Sequence, residues 1–236
     1  QTNHWNFGNK AALNFNNGGV NVMTNSEMDT PAGSASISDT QGNLLFYTNG
    51  QTVWNKNHAI MENGEGLAGE INNTQTSIII PKPGTAEKYY IFSTRVNSTT
   101  TSPLLTKGVY LAEIEISSTY PLGKVLTRFQ TLRDASTERI TAVHHKDGKA
   151  IWLITFGEAG GTTNGVKNTF SSYKIDENGL NPPLYSVQEE TVSASGAMKA
   201  SPDGQLIAIA DQGDRYVYLY NFDNETGAIT ANIKIF

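Results

Sequence analysis

The strongest constraint on this chain is a turn signal that returns at long intervals. Asp39-Thr40-Gln41-Gly42, Pro83-Gly84, Asp147-Gly148 and Pro202-Asp203-Gly204 each stand between two apolar, β-prone runs. Such pairs suit tight turns because glycine reaches positive φ without steric cost and proline presets φ at a turn corner. Each therefore predicts a hairpin. The flanking runs alternate with period two, and no stretch of a dozen residues shows a 3.6-residue apolar period free of Gly and Pro. The chain accordingly reads as all-β.

The hairpins extend into a unit that recurs four times. The first, about 34–60, has strands near 34–38, 43–48 and 51–55. The second, about 76–132, opens on "TQTSIIIPKPGTAEKYYIF" and passes a Ser/Thr-rich loop at 97–106 to "GVYLAEIEI" and "GKVLTRFQTL". "ITAVHHKDGKAIWLITFGE", "NTFSSYKID" and "LYSVQEE" make the third, about 140–190; "MKASPDGQLIAIADQG", "YVYLYNFD" and "GAITANIKIF" make the fourth, about 197–236. Residues 1–33 form an N-terminal segment with strand-like pieces at 5–7 and 20–23.

A four-stranded meander cannot bury both of its faces alone, whereas radial stacking covers each sheet with the next. The expected fold is a β-propeller of four-stranded antiparallel blades. Four recognisable blades are few for a ring, so the chain is compatible both with a closed circle and with part of a larger one; in propellers a terminal strand often completes a blade made mostly from the other end of the chain. A Greek-key sandwich is the competing architecture, and it predicts no repeated four-strand unit.

Composition narrows the function classes. With 236 residues the chain is long enough to bury a core without disulfides, and it contains no cysteine, which removes thiolate chemistry. Only 17% of residues are charged, and the polar surface is built from Asn, Thr, Ser, Gln and Gly, a composition that suits extracellular β-proteins. The net charge is -5 and the cations are scattered, so nucleic acid is not an expected partner, since its phosphates need clustered Lys and Arg. No apolar run reaches the roughly 18 residues of a helical membrane span, so no membrane insertion is expected. No basic segment followed by an apolar one stands at the start, and Gln1 fits a mature form whose signal peptide has been removed.

The stretches "GSASISDTQGNLLFYTNGQTVWNKNHAIMENGEGL", "TQTSIIIPKPGTAEKYYIF", "TAVHHKDGKAIWLITF" and "MKASPDGQLIAIA" together resemble the N-terminal propeller region of large secreted, gliding-motility-associated cell-surface proteins. The resemblance runs from about residue 5 to 222. It implies export by type IX secretion, a propeller fold and a role in adhesion or surface assembly, and it carries no defined active site. The C-terminal sorting domain of those proteins has no counterpart here, so the chain reads as an excised part of a longer one.

"TNGQTVWNKNH", residues 48–58, is the richest recognition candidate. An indole at Trp54, amides at Asn49, Asn55 and Asn57 and the imidazole of His58 offer a stacking platform beside hydrogen-bonding groups. Core packing of Trp54 and turn formation by the asparagines are the bland alternatives. The His144-His145 pair invites a metal reading, but adjacent strand residues point to opposite faces and cannot readily share one ion. Asp211, Asp214, Asp223 and Glu225 lie in turns as Ca2+ ligands do, yet the calcium-loop order of an EF-hand is missing and Asx turns explain them more simply. No cofactor and no metal is expected. Glycoside hydrolysis needs a pair of carboxylates, and no pair stands out; a nucleophile elbow, phosphate loop and His-Glu-x-x-His helix are likewise missing. The expected function is a non-catalytic surface or secreted binding module for an extracellular glycan or protein. A polysaccharide-active propeller enzyme, hydrolase or lyase, is one alternative; an architectural spacer is another.

Overall fold

A computed structural model describes residues 3–96, 106–159 and 165–235. Most of the Ser/Thr-rich stretch 97–106 lies outside them. The described residues are all-β, without an α-helix; a 3-10 turn at Asn16–Gly18 supplements the strands. β1 (His4–Phe7), β2 (Ala11–Asn14) and β3 (Asn21–Met23) form a three-stranded antiparallel sheet. The N-terminal segment thus pairs with itself. β4 (Ala35–Ser38), β5 (Leu44–Thr48), β6 (Thr52–Asn55) and β7 (Ile60–Glu65) make a meander, as do β8 (Ser77–Pro81), β9 (Lys88–Arg95), β10 (Gly108–Glu115) and β11 (Lys124–Asp134). The last strands of these two meanders touch through Lys124 and Glu62, which also form an ion pair at 2.8 Å, giving one eight-stranded sheet. β12 (Ser136–His144), β13 (Ile151–Glu158) and β14 (Lys167–Asp176) follow, with β15 (Gly179–Leu180) and β16 (Leu184–Val187) both on β14. β17 (Gly196–Ala200), β18 (Leu206–Asp211), β19 (Val217–Phe222) and β20 (Ile229–Ile235) complete the chain.

The aspartate-containing turns, which exclude Pro83-Gly84 and include the one at Asp223, share one chemistry. Asp39 Oδ1 accepts the N–H groups of Gln41 and Asn43 at 2.9 and 2.8 Å, and Asp147 Oδ1 those of Lys149 and Ala150 at 2.7 and 3.1 Å. Asp203 Oδ1 accepts from Gln205, and Asp223 Oδ1 from Glu225 and Thr226. The glycine that follows in each, Gly42, Gly148, Gly204 and Gly227, has φ between 68° and 87°, where a Cβ would be strained. Hydrogen bonds therefore hold these four carboxyls below the usual aspartate range: chiefly the Asn43 side chain for Asp39, the Lys149 N–H for Asp147, the Ser201 hydroxyl for Asp203 and the Glu225 N–H for Asp223.

Cores form between consecutive sheets because each strand divides its side chains between two neighbours. On β9, Tyr89 and Ile91 pack against Phe46 and Val53 of the preceding meander, while Tyr90 and Phe92 pack with Leu153 and Tyr173 of the following sheet. On β13, Leu153 faces backwards and Trp152, Ile154 and Phe156 face forwards onto Met198, Ile209 and Tyr220. The continuous apolar runs "YYIF" and "IWLITF" are thus strands buried on both faces. The first strands β1, β4, β8, β12 and β17 lie each beside the next. At the two ends, apolar side chains stay exposed: Val22 at 76% and Trp5 at 51%, on either side of Leu13 in the first sheet, and Ile233 at 65%, opposite Leu219, with the Val217–Ile235 pair in the last.

Polar side chains fasten the first strands together. The Gln75 amide lies between β12 and β17: its Oε1 accepts the N–H groups of Ile140 and Met198 at 3.3 and 2.7 Å, and its Nε2 donates to both residues' carbonyls at 3.0 Å. Buried Glu138 accepts from the N–H groups of Thr74 at 2.5 Å and Gly196 at 2.9 Å. Beside it, fully buried Arg139 donates to the carbonyls of Ser193 and Ser195 at 2.7 Å and pairs with Asp211 at 3.1 Å. Burial pulls the Arg139 guanidinium down from its ordinary value. Burial pushes the Asp211 carboxyl up, but the bonds from Ser193 and the Arg139 charge outweigh it, so it titrates low.

Two outcomes follow for folding. Arg139→Met strands the Asp211 carboxylate inside the protein and is expected to cost about 3–5 kcal/mol in urea unfolding; a loss below about 1 kcal/mol would show that the pair contributes little. Groups whose folded pKa is depressed contribute stability above the unfolded value near ~4 that is lost as pH falls through the folded value. The urea midpoint should therefore drop below about pH 4, and drop less steeply in Asp147→Asn/Asp223→Asn, which keeps the turn acceptors but not their titration.

Candidate functional site

The five first strands surround a cavity of about 820 Å3, within the range of roughly 300–1,000 Å3 typical of ligand pockets. β1 brings Trp5 and Phe7, β8 brings Ser77 and Ile79, and β17 brings Lys199. Local bonds set β1 in place: the Asn6 N–H donates to Ser36 Oγ at 3.1 Å and Ser34 Oγ donates to the Asn6 carbonyl at 2.9 Å. Trp5 leans on Phe15 at a ring separation of 4.8 Å. Gly33 permits the close passage next to β8, since a Cβ there would sit 2.4 Å from the Thr76 nitrogen.

The cavity wall is aromatic, apolar and hydrogen-bonding, and it contains no carboxylate. Its ionisable side chains are Lys199 and His4. Burial lowers the His4 pKa and the charge of His58 lowers it further, so the imidazole is neutral near pH 7. Lys199 is exposed and takes part in no ion pair among the described residues. Two buried polar atoms of wall residues, Asn6 Oδ1 and Ser77 Oγ, have no hydrogen-bond partner among the described residues. An unpaired buried polar atom costs about 1–3 kcal/mol.

The stretch 48–58 divides between the two ends of β6. Asn49 Oδ1 accepts the N–H groups of Gln51 and Thr52 at 3.0 and 2.9 Å, and Asn55 Oδ1 those of Asn57 and Ala59 at 2.9 and 3.3 Å. Both amide oxygens are thereby committed to turns. Trp54 is 8% exposed and stacks on Tyr47, with ring centres 5.4 Å apart and planes 13° from parallel, beside Met28 and Leu44. Asn57 is exposed. His58, at φ 63°, meets Asn25 through Nε2 at 2.8 Å and the Tyr47 hydroxyl through Nδ1 at 3.2 Å; burial lowers its pKa. None of these residues is among those that line the cavity.

A second cavity of about 460 Å3 lies between the β12–β13 and β17–β18 turns, lined in part by His144, His145 and Asp203. His144 is exposed, whereas His145 is buried against Trp152 with its Nε2 3.1 Å from the Glu225 carbonyl and its Nδ1 accepting the Asp147 N–H at 3.1 Å. Asp211 is engaged by Arg139 and Ser193, and Asp223 by its own turn. Among the described residues no cluster of three His, Asp or Glu side chains is arranged to hold a metal ion.

No protein-family model matches the chain. No curated protein sequence matches it either. It is similar to an auxiliary nutrient binding protein from Bacteroides thetaiotaomicron, at 12% identity and a TM-score of 0.42, over 87% of this chain and 42% of that one. It thus spans less than half of that protein's length. It is also similar to a periplasmic gluconolactonase from Pseudomonas aeruginosa, at 14% identity and a TM-score of 0.41, over 95% of this chain and 76% of that one. At TM-scores this low, no residue role is carried over. No helix among the described residues is long and apolar enough to cross a membrane.

In the sequence Trp5 reads only as part of a strand-like piece and Lys199 carries no site signal. Trp5 and Phe7 alternate with His4 and Asn6 in "HWNF", a signal for one aromatic strand face, while nothing around Lys199 distinguishes it from a surface lysine. Trp54→Ala is expected to cost about 3–5 kcal/mol of stability, read by urea denaturation; a fully stable variant would leave Trp54 free for ligand contact.

Proposed function

We propose that the chain is a β-propeller binding module of an exported cell-surface protein, with its ligand held in the cavity between the first strands. The observation that carries this is the wall itself. Trp5, 51% exposed, and Phe7 present aromatic surface beside the hydroxyls of Ser36, Ser77 and Thr141, the mix by which binding sites hold sugars and peptides. Consecutive sheets stacked face to face with neighbouring first strands support the propeller reading, with each meander as a blade. The uncharged polar composition and the resemblance to gliding-motility-associated surface proteins support export and adhesion.

A hydrolase or lyase alternative would need paired acid and base groups, and the wall offers no carboxylate. A spacer role would leave the aromatic wall without a ligand. Glycan-array binding of the purified chain, followed by Trp5→Ala, tests the proposal: binding should fall at least tenfold in a variant of unchanged circular dichroism. Retained affinity in Trp5→Ala would move the ligand elsewhere.

A further inference from the structure

We infer that the cavity selects acidic saccharides, in which a uronic acid carboxylate pairs with Lys199 while a neighbouring sugar ring lies on Trp5. This rests on the cavity being the binding site. The chain carries a net charge of -5, yet the cavity wall has no carboxylate and Lys199 is its one ammonium, while burial lowers the pKa of His4. An ammonium with no ion-pair partner, standing in a wall without competing anions, attracts a carboxylate through a charge-assisted hydrogen bond. The C–H face of a pyranose matches the half-exposed indole of Trp5, which stands in the same wall.

A saccharide is favoured over an acidic peptide by the state of β1. Extended peptides bind by adding to a free strand edge. Along the edge of β1 that faces β4, the Asn6 N–H and carbonyl are already taken by Ser36 and Ser34. What the wall presents is side chains, arranged around a volume of about 820 Å3 that accommodates a short oligosaccharide.

The test is calorimetric titration of the chain with oligogalacturonate, oligomannuronate and hyaluronan fragments, the neutral methyl ester of each, and oligoglutamate. At least one uronate should bind at least tenfold more tightly than its own methyl ester, and raising the salt should shrink that ratio. Lys199→Gln should reduce the ratio to about one, whereas Trp5→Ala should weaken acid and ester alike and keep the ratio. Equal binding of acid and ester would overturn the charge selection while leaving the cavity as a neutral-glycan site. Tighter binding of oligoglutamate than of every uronate would overturn the saccharide assignment. No binding by any uronate would overturn the inference, and the cavity reading falls with it only if neutral glycans bound elsewhere are insensitive to Trp5→Ala.

Discussion

A side-chain amide does the work of a strand at the centre of this molecule. Sheets stacked face to face bury their apolar surfaces well, but their first strands meet where backbone ladders cannot extend from one sheet into the next. Gln75 answers this by offering an acceptor and two donors in the plane of a peptide group, bonded to Ile140 and Met198 as a backbone neighbour would be. Glu138 repeats the device between Thr74 and Gly196. These contacts fix the spacing of β8, β12 and β17, and hence the shape of the cavity they border. Buried polar groups of this kind specify one arrangement because each must be satisfied by particular partners.

The aromatic strands set the next level. Strands such as β9 and β13 serve two cores at once, so the order of the sheets in space follows their order in the chain. Arg133 reaches from β11 across to Ser171 and the carbonyl of Thr169 on β14, and Arg139 reaches from β12 to the end of β18. Each arginine crosses to the following sheet and donates mainly to backbone carbonyls and hydroxyls. The sheet-to-sheet interface thus combines an apolar middle with a cationic clasp.

Much of this was legible in the sequence, because hairpin chemistry is local. The Asp-Gly and Pro-Gly turns located β4–β5, β8–β9, β12–β13 and β17–β18 to within a few residues. β7 was missed: "IMENGE" alternates poorly and includes Asn63 at φ 58°, so its pairing with β6 is a tertiary choice that local preference opposes. β2 escaped for a related reason, since "AALN" has weak strand preference and is held by β1 and β3 on either side. The cavity is illegible in the sequence because its wall draws on six strands spread from β1 to β17. Position along a strand is readable from one sequence; convergence of distant strands is not.

Gln75 lines that cavity as well as joining the strands beside it. Its chemistry is therefore exposed to ageing as well as to mutation. Deamidation would turn the amide into a carboxylate, remove both donors to the carbonyls of Ile140 and Met198 and set a negative charge against those oxygens. The same change would place an anion in a wall whose one charge is cationic. A single slow hydrolysis would thus loosen the junction of β8, β12 and β17 and alter the electrostatics of the cavity together.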